Sequence, residues 1–247
     1  MIRRTSTNRG LVGIAILFLA SFSASAAAPN LDDLVRLWAA ATGGLARIRA
    51  LHAVRMTGRI TLAGTPNPFL VEIERPGKIR TQIDFPEGRR IQVFDGKKGW
   101  SASASWKSRG AIPMNAEQLA NAPEQADIDG PLVDSAKKGI TLALEGPVKV
   151  DGKDAFRIRV TRANGRVRYL DLDATTSLKA RWEGELGEGE QRKMNASLFS
   201  DYRTVSGLAF PFRIRSGVLG EAAQQEIVFE KIEVNPTIPE SDFEPPK

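Results

Sequence analysis

The feature that most constrains this chain is a two-residue rhythm of apolar and polar side chains. It begins at Ala53 and returns, with one interruption, nearly to the end. Val54, Met56, Ile60 and Leu62 alternate with Arg55, Thr57, Arg59 and Thr61. A period of two puts one set on each face of a strand, and a strand with one apolar face must be half-buried. Phe69, Val71 and Ile73 continue the rhythm, followed by Ile79 to Phe85, Ile91 with Val93, and the segment around Trp100. It resumes at Ile140 to Leu144, Phe156 to Val160, Tyr169 to Leu172, Leu178 to Trp182, Met194 to Leu198, Leu208 to Ile214 and Ile227 to Val234. Pro76-Gly77, Asp95-Gly96, Asp151-Gly152 and Asn164-Gly165 punctuate these runs as turns.

Ten or eleven antiparallel strands are expected from this pattern. A single sheet of that size curls, and curling gives one concave apolar face. A two-residue turn at Asp95-Gly96 sets Ile91 opposite Trp100. One at Asn164-Gly165 sets Val160 opposite Tyr169 and leaves Leu170 and Leu172 beside Arg157 and Arg159. The expected fold is mainly β (α+β): a single-domain, unclosed antiparallel β-barrel over 29–247.

Helical spacing is confined to short pieces. Asn30 can cap a helix carrying Asp32 and Asp33 in its first turn, then Leu31, Leu34, Val35 and Trp38, and Gly43-Gly44 ends it. A second turn can cover Leu45 to Leu51. Within 111–138, Asn115 can cap a helix through Leu119, Pro131 can open another with Leu132 and Val133, and Pro123 and Gly130 separate the pieces. This insertion is the expected lid. Its few large apolar residues, Leu119, Ile128, Leu132 and Val133, imply weak docking.

The first 28 residues read differently. Arg3, Arg4 and Arg9 precede the uncharged apolar run Leu11 to Ala20, and Ala24-Ser25-Ala26 follows. That is the pattern of a signal peptide, and the run is short for the ~20 residues a membrane span needs. The expectation is an exported protein, soluble in the periplasm after cleavage. Removing three arginines takes the net charge from +6 to near +3. With basic and acidic residues interleaved thereafter, nucleic-acid binding is not expected.

Catalytic chemistry has little to work with. There is no cysteine and a single histidine, His52, and no nucleophile elbow, phosphate loop or calcium loop is present. Asp151, Asp154, Asp171 and Asp173 read as turn and strand-end acids. No enzyme activity, metal or cofactor is expected. What remains is apolar surface: Val54, Met56, Phe69, Val71, Ile83, Phe85, Trp100, Phe156, Ile158, Tyr169 and Phe212 are the candidate ligand-binding residues.

The Gly58 strand, the Arg75-Pro76 turn, Asp95-Gly96 to Trp100, Asp151-Gly152, Asp201-Tyr202-Arg203, Gly207 to Pro211 and Asn235 to Phe243 come in an order that resembles the LolA-like superfamily. These are periplasmic outer-membrane lipoprotein carriers and their relatives, and this chain is more similar to the wider branch than to the lipoprotein carrier itself. The resemblance implies an unclosed barrel with a helical lid, a carrier or chaperone function, and lipid or lipoprotein acyl chains as ligand. It also implies a lid-locking arginine, for which Arg55, Arg59 and Arg75 all compete. An inner- or outer-membrane protein is a further possible partner, and an envelope sensor or scaffold holding a protein in the same groove is the alternative.

Overall fold

The computed structural model describes residues 29–103, 110–187 and 192–245, with Met1. The signal-peptide reading of 1–28 lies, apart from Met1, outside the described residues.

Two helices, α1 (Leu31–Thr42) and α2 (Leu45–Arg49), lead into β1 (Ala53–Leu62), β2 (Thr65–Glu74), β3 (Lys78–Phe85), β4 (Gly88–Phe94), β5 (Gly99–Ser103) and β6 (Ile112–Pro113). Helix α3 (Ala116–Gln125) and a 3-10 turn at Ser135–Lys138 follow. The chain then runs through β7 (Thr141–Val150), β8 (Lys153–Thr161), β9 (Val167–Asp173), β10 (Lys179–Leu186), β11 (Lys193–Val205), β12 (Leu208–Val218) and β13 (Gln225–Val234).

All thirteen strands form one antiparallel sheet in the order β6-β5-β4-β3-β2-β1-β13-β12-β11-β10-β9-β8-β7. The sheet is two meanders joined at β1 and β13. Its open edges, β6 and β7, are consecutive in sequence, so the segment 114–140 is strung from one edge to the other. Gly58 is needed at the central seam: a Cβ there would lie 2.1 Å from the Val228 carbonyl oxygen, beside the register shift between Thr57 and Gly58.

The expected caps form. Asn30 Oδ1 accepts from the Asp33 amide at 2.9 Å. Asn115 and Gln118 make a reciprocal capping box at 2.8 and 2.9 Å. Pro123 lies inside α3 instead of ending it, and Pro131 opens no helix, the 3-10 turn beginning only after Asp134.

Three expectations about the sheet are corrected. The described residues form thirteen strands and not ten or eleven, one of them a short edge strand at 112–113. The hairpin after β4 closes on Asp95 and Lys98, with the Asp95 carboxylate accepting from the Lys97 and Lys98 amides at 2.7 Å. Trp100 is therefore opposite Val93, and Ile91 opposite Ala102. The loop after β8 holds three residues between Arg162 and Arg166, closed by Gly165 at φ 78°. Val160 thus faces Arg168, Ile158 faces Leu170 and Phe156 faces Leu172. A one-residue slip exchanges faces: Leu170 and Leu172 join the apolar set, and Tyr169 moves to the other side, under the Arg157 guanidinium at 5.0 Å.

Candidate ligand-binding face and its lid

The inner face of the sheet is apolar because alternate residues of almost every strand point to it. Val54, Val71, Ile79, Phe94, Phe212, Phe229 and Ile232 form one buried cluster, with Met56 and Phe69 packed on it. The rings of Phe69 and Phe229 stack at 6.3 Å. Ile158, Val160, Leu170 and Leu172 form a second cluster in the other meander, flanked by Phe156 and Trp182. Helix α1 lies across both: Leu34 is buried in the second cluster and Trp38 packs against each.

Of the eleven candidate residues, nine share this face by register: Val54, Met56, Phe69, Val71, Ile83, Phe85, Phe156, Ile158 and Phe212. Ile83 and Phe85 lie toward the far end of β3, half-buried, with Arg90 over the Phe85 ring at 5.1 Å. Two are not on it. Trp100 belongs to an outer-face cluster with Ala53, Val93, Ile238 and Phe243, where the C-terminal segment covers it. Tyr169 is on the outer face as described. Members of the face outside the eleven candidates include Ile79, Phe94, Val160, Phe229 and Ile232, and also Leu170, Leu172, Trp38 and Trp182. The one-residue slip in register hides Leu170 and Leu172, and helical spacing marks Trp38 only as part of α1.

The outer face is built from charge. Glu72 accepts from Arg55 at 2.7 Å and from Arg80 at 3.3 Å. In the other meander Asp171 accepts a two-pronged bond from Arg157 at 2.8 and 2.9 Å and a third from Arg181 at 2.7 Å. Glu183 pairs with the same two arginines, each at 2.7 Å. Asp171 is 0% exposed. It is the centre of a ladder, not a strand-end acid, and its neighbours hold the Arg157 guanidinium's pKa above its usual value against the opposing effect of burial.

The lid segment docks more firmly than its composition suggested. Leu132 and Val133 are 5% and 1% exposed, one in each apolar cluster. Ala122 and Ala126 are buried as well, whereas Leu119 faces solvent. Polar latches add to this. Arg75, at the start of the β2–β3 connection, donates to Asp129 at 2.7 Å and to the Leu51 carbonyl at 2.6 Å. It is the one of the three competing arginines that meets the 114–140 segment. Arg55 serves the outer ladder, and Arg59 meets Glu230 on the surface at 3.4 Å.

Lys138 bridges Asp127, Asp129 and the Gly130 carbonyl. Burial pushes the Asp127 carboxyl up. It also works against the Asp129 charge, but hydrogen bonds from Lys138 and Arg75 outweigh it and hold that carboxyl below its usual range. Arg49 of α2 holds Asp134 at 2.7 Å, and Arg168 of β9 holds Glu124 of α3 at 3.2 and 3.3 Å.

Between α1, α2 and the lid lies an open cleft of about 510 Å³. Val35, Trp38, Ala39, Leu45, Leu132 and Val133 line it, with Asp32, Arg36, Arg49 and Asp134 among its polar members. His52, exposed, uses its backbone amide to reach Asn235 Oδ1 at 2.9 Å and its carbonyl to accept from Arg75, so it sits at the structural seam. No helix among the described residues is long and apolar enough to cross a membrane.

No family model matches the sequence, and neither does any curated protein. Solved structures do. A domain from Vibrio parahaemolyticus described as an outer membrane lipoprotein-sorting protein aligns with TM-score 0.56 at 11% identity, over 80% of this chain and 93% of that one. A DUF1329 family protein from Desulfovibrio piger aligns with TM-score 0.58 at 13% identity, over 88% and 98%. A LolA superfamily protein from Nitrosomonas europaea aligns with TM-score 0.57 at 12% identity, over 88% and 98%. At such identities the likeness establishes architecture, and the chain has the unclosed antiparallel barrel fold shared by the LolA superfamily structure and these neighbours.

Proposed function

We propose that this protein is an exported carrier that binds a hydrophobic ligand, the acyl chains of a lipid or lipoprotein, on the inner face of its sheet. The observation that carries this reading is the way that face is covered. The cover is one segment strung between the two free edges and held by ion pairs at Asp129, Asp134 and Glu124, so it can lift without any strand leaving its neighbours. Shape neighbours described as lipoprotein-sorting and LolA superfamily proteins support the same reading by analogy of fold. Binding is the mechanism: each buried CH₂ contributes about 0.8 kcal/mol, and opening of the lid sets the rate of exchange.

Native mass spectrometry of protein isolated from its own cell envelope tests the reading. A co-purifying lipid or acylated peptide is expected, and Phe156→Asp, which places a charge on the inner face, should abolish its retention without unfolding the sheet. A wild type that carries no lipid and takes up no fluorescent fatty acid after delipidation would refute it.

A further inference from the structure

Glu124 of the lid is held by more than one donor. Besides Arg168 Nε, the Trp182 indole N–H donates to it at 2.9 Å, and Arg162 Nε lies 3.4 Å away. Arg168 is fixed from the sheet as well, its Nη1 donating to the Glu185 carbonyl at 2.8 Å, while its Nη2 donates at 3.1 Å to Asn121, one turn before Glu124 on α3. Its stem crosses Gly184, where a Cβ would stand 2.2 Å from Arg168 Cδ, so the sheet is shaped to let this side chain lie flat.

Among the described residues the charges do not balance. Two guanidinium groups share one carboxylate, and Nε and Nη2 of Arg162 are buried without a hydrogen-bond partner. The three donors stand on β9, β10 and the end of β8, on the inner face beside Val160 and Leu170. The acid stands on α3, which belongs to the moving segment. Lifting the lid therefore strips two half- to fully buried arginines of their shared anion, a costly state unless another anion replaces it.

We infer that Arg162, Arg168 and Trp182 form the headgroup site for an anionic amphiphile whose chain lies on the adjoining apolar face, and that Glu124 occupies this site in the closed state as an internal mimic of the headgroup. This deepens the carrier reading and rests on it. The ligand class is then a carboxylate or phosphate carried on an acyl chain, and loading is an exchange of one anion for another.

The test compares dodecanoate with dodecanol, which share a chain and differ in headgroup charge, on the delipidated protein. Wild type should prefer dodecanoate by about tenfold, the scale of a hydrogen bond to a charged group. Arg168→Gln and, independently, Arg162→Gln should collapse that ratio toward one while dodecanol still binds. Glu124→Gln should raise the affinity for both ligands by a common factor and leave the ratio intact, because it removes the competitor and not the site. Inorganic phosphate alone should not displace dodecanoate; full displacement would mean a free-anion site and would overturn the proposal. Equal binding of the two ligands by wild type, or a ratio that survives both arginine substitutions, would also overturn it and leave the carrier reading standing. Binding of neither ligand would sink both.

Discussion

Two buried arginine–carboxylate groups lie on opposite faces of the same meander, and they differ in one respect. On the outer face, Arg157 and Arg181 meet Asp171 and Glu183, two cations and two anions, all on the neighbouring strands β8, β9 and β10. On the inner face, Glu124 is the one carboxylate among the described residues that Arg162 and Arg168 meet, and it comes from a segment outside the sheet. The first group is balanced and cannot separate without breaking the sheet. The second is unbalanced among the described residues, and it joins the sheet to α3 and not strand to strand. The same chemistry ties strand to strand on one face and sheet to a separate segment on the other, so that under the proposed lid motion the first is a staple and the second a latch.

The largest expected effect comes from breaking the staple. Asp171→Ala leaves two outer-face arginines with Glu183 alone and should cost about 3–5 kcal/mol, read by urea denaturation. A loss below 1 kcal/mol would mean that water reaches the ladder and the contrast between the faces is weaker than drawn.

Lys179 sharpens the comparison from a third position. Its ammonium sits 3.8 Å from the Phe199 ring centroid and has no carboxylate partner among the described residues, and burial pushes its pKa down to about 8. With a folded pKa below the unfolded value, the unfolded chain binds more protons between about pH 8 and 10.5, so stability should rise with pH across that window. Lys179→Met should stabilise the protein at pH 7 by at most about 3 kcal/mol and remove this rise. Urea midpoints at pH 7, 8.5 and 10 check the sign.

Arg75→Met should leave global stability nearly unchanged and speed amide exchange across 114–139 by about tenfold, since a hydrogen bond between charged groups is worth roughly 1.5–3 kcal/mol. Exchange as slow as in β8 and β9 would make the segment core and not lid. At the bottom of the scale, Arg36→Ala removes an exposed pair with Asp33 and should move no measured quantity.

The sheet was legible because alternation is a local signal, and so was the Asp151-Gly152 hairpin. Both its central residues are left-handed, at φ 47° and 79°, as a two-residue turn of that kind requires, and Val150 pairs with Lys153 as a result. The Asn164-Gly165 dipeptide carries an equivalent turn signal but only its glycine has positive φ. The loop takes one more residue, and that single residue decides which of Tyr169, Leu170 and Leu172 lie on the inner face.

The latch arginine was not legible for a different reason. Arg55, Arg59 and Arg75 are alike as letters. Their partners Glu72, Glu230 and Asp129 are set by strand pairing and by the path of the lid, which no spacing rule reaches. Trp100 was misassigned because an apolar residue on a strand announces a buried face, not which one; only the C-terminal segment bearing Phe243 gives the outer face its own small core.

The seam between β1 and β13 dictates an order of assembly. Each meander is a run of adjacent hairpins whose contacts are short in sequence, and such contacts form quickly. The seam joins residues as far apart as His52 and Asn235, 183 positions from each other. Until 225–234 has arrived, β1 is a free edge with a row of unsatisfied amides and carbonyls. The Asn235 side chain accepts from the amides of His52 and Ala53 and donates to the Ala50 carbonyl, so it acts as the clasp of the last step. A chain emerging amino-terminus first therefore completes its barrel only when nearly all of it is present, and loss of the last twenty or so residues would leave two half-sheets with matching sticky edges.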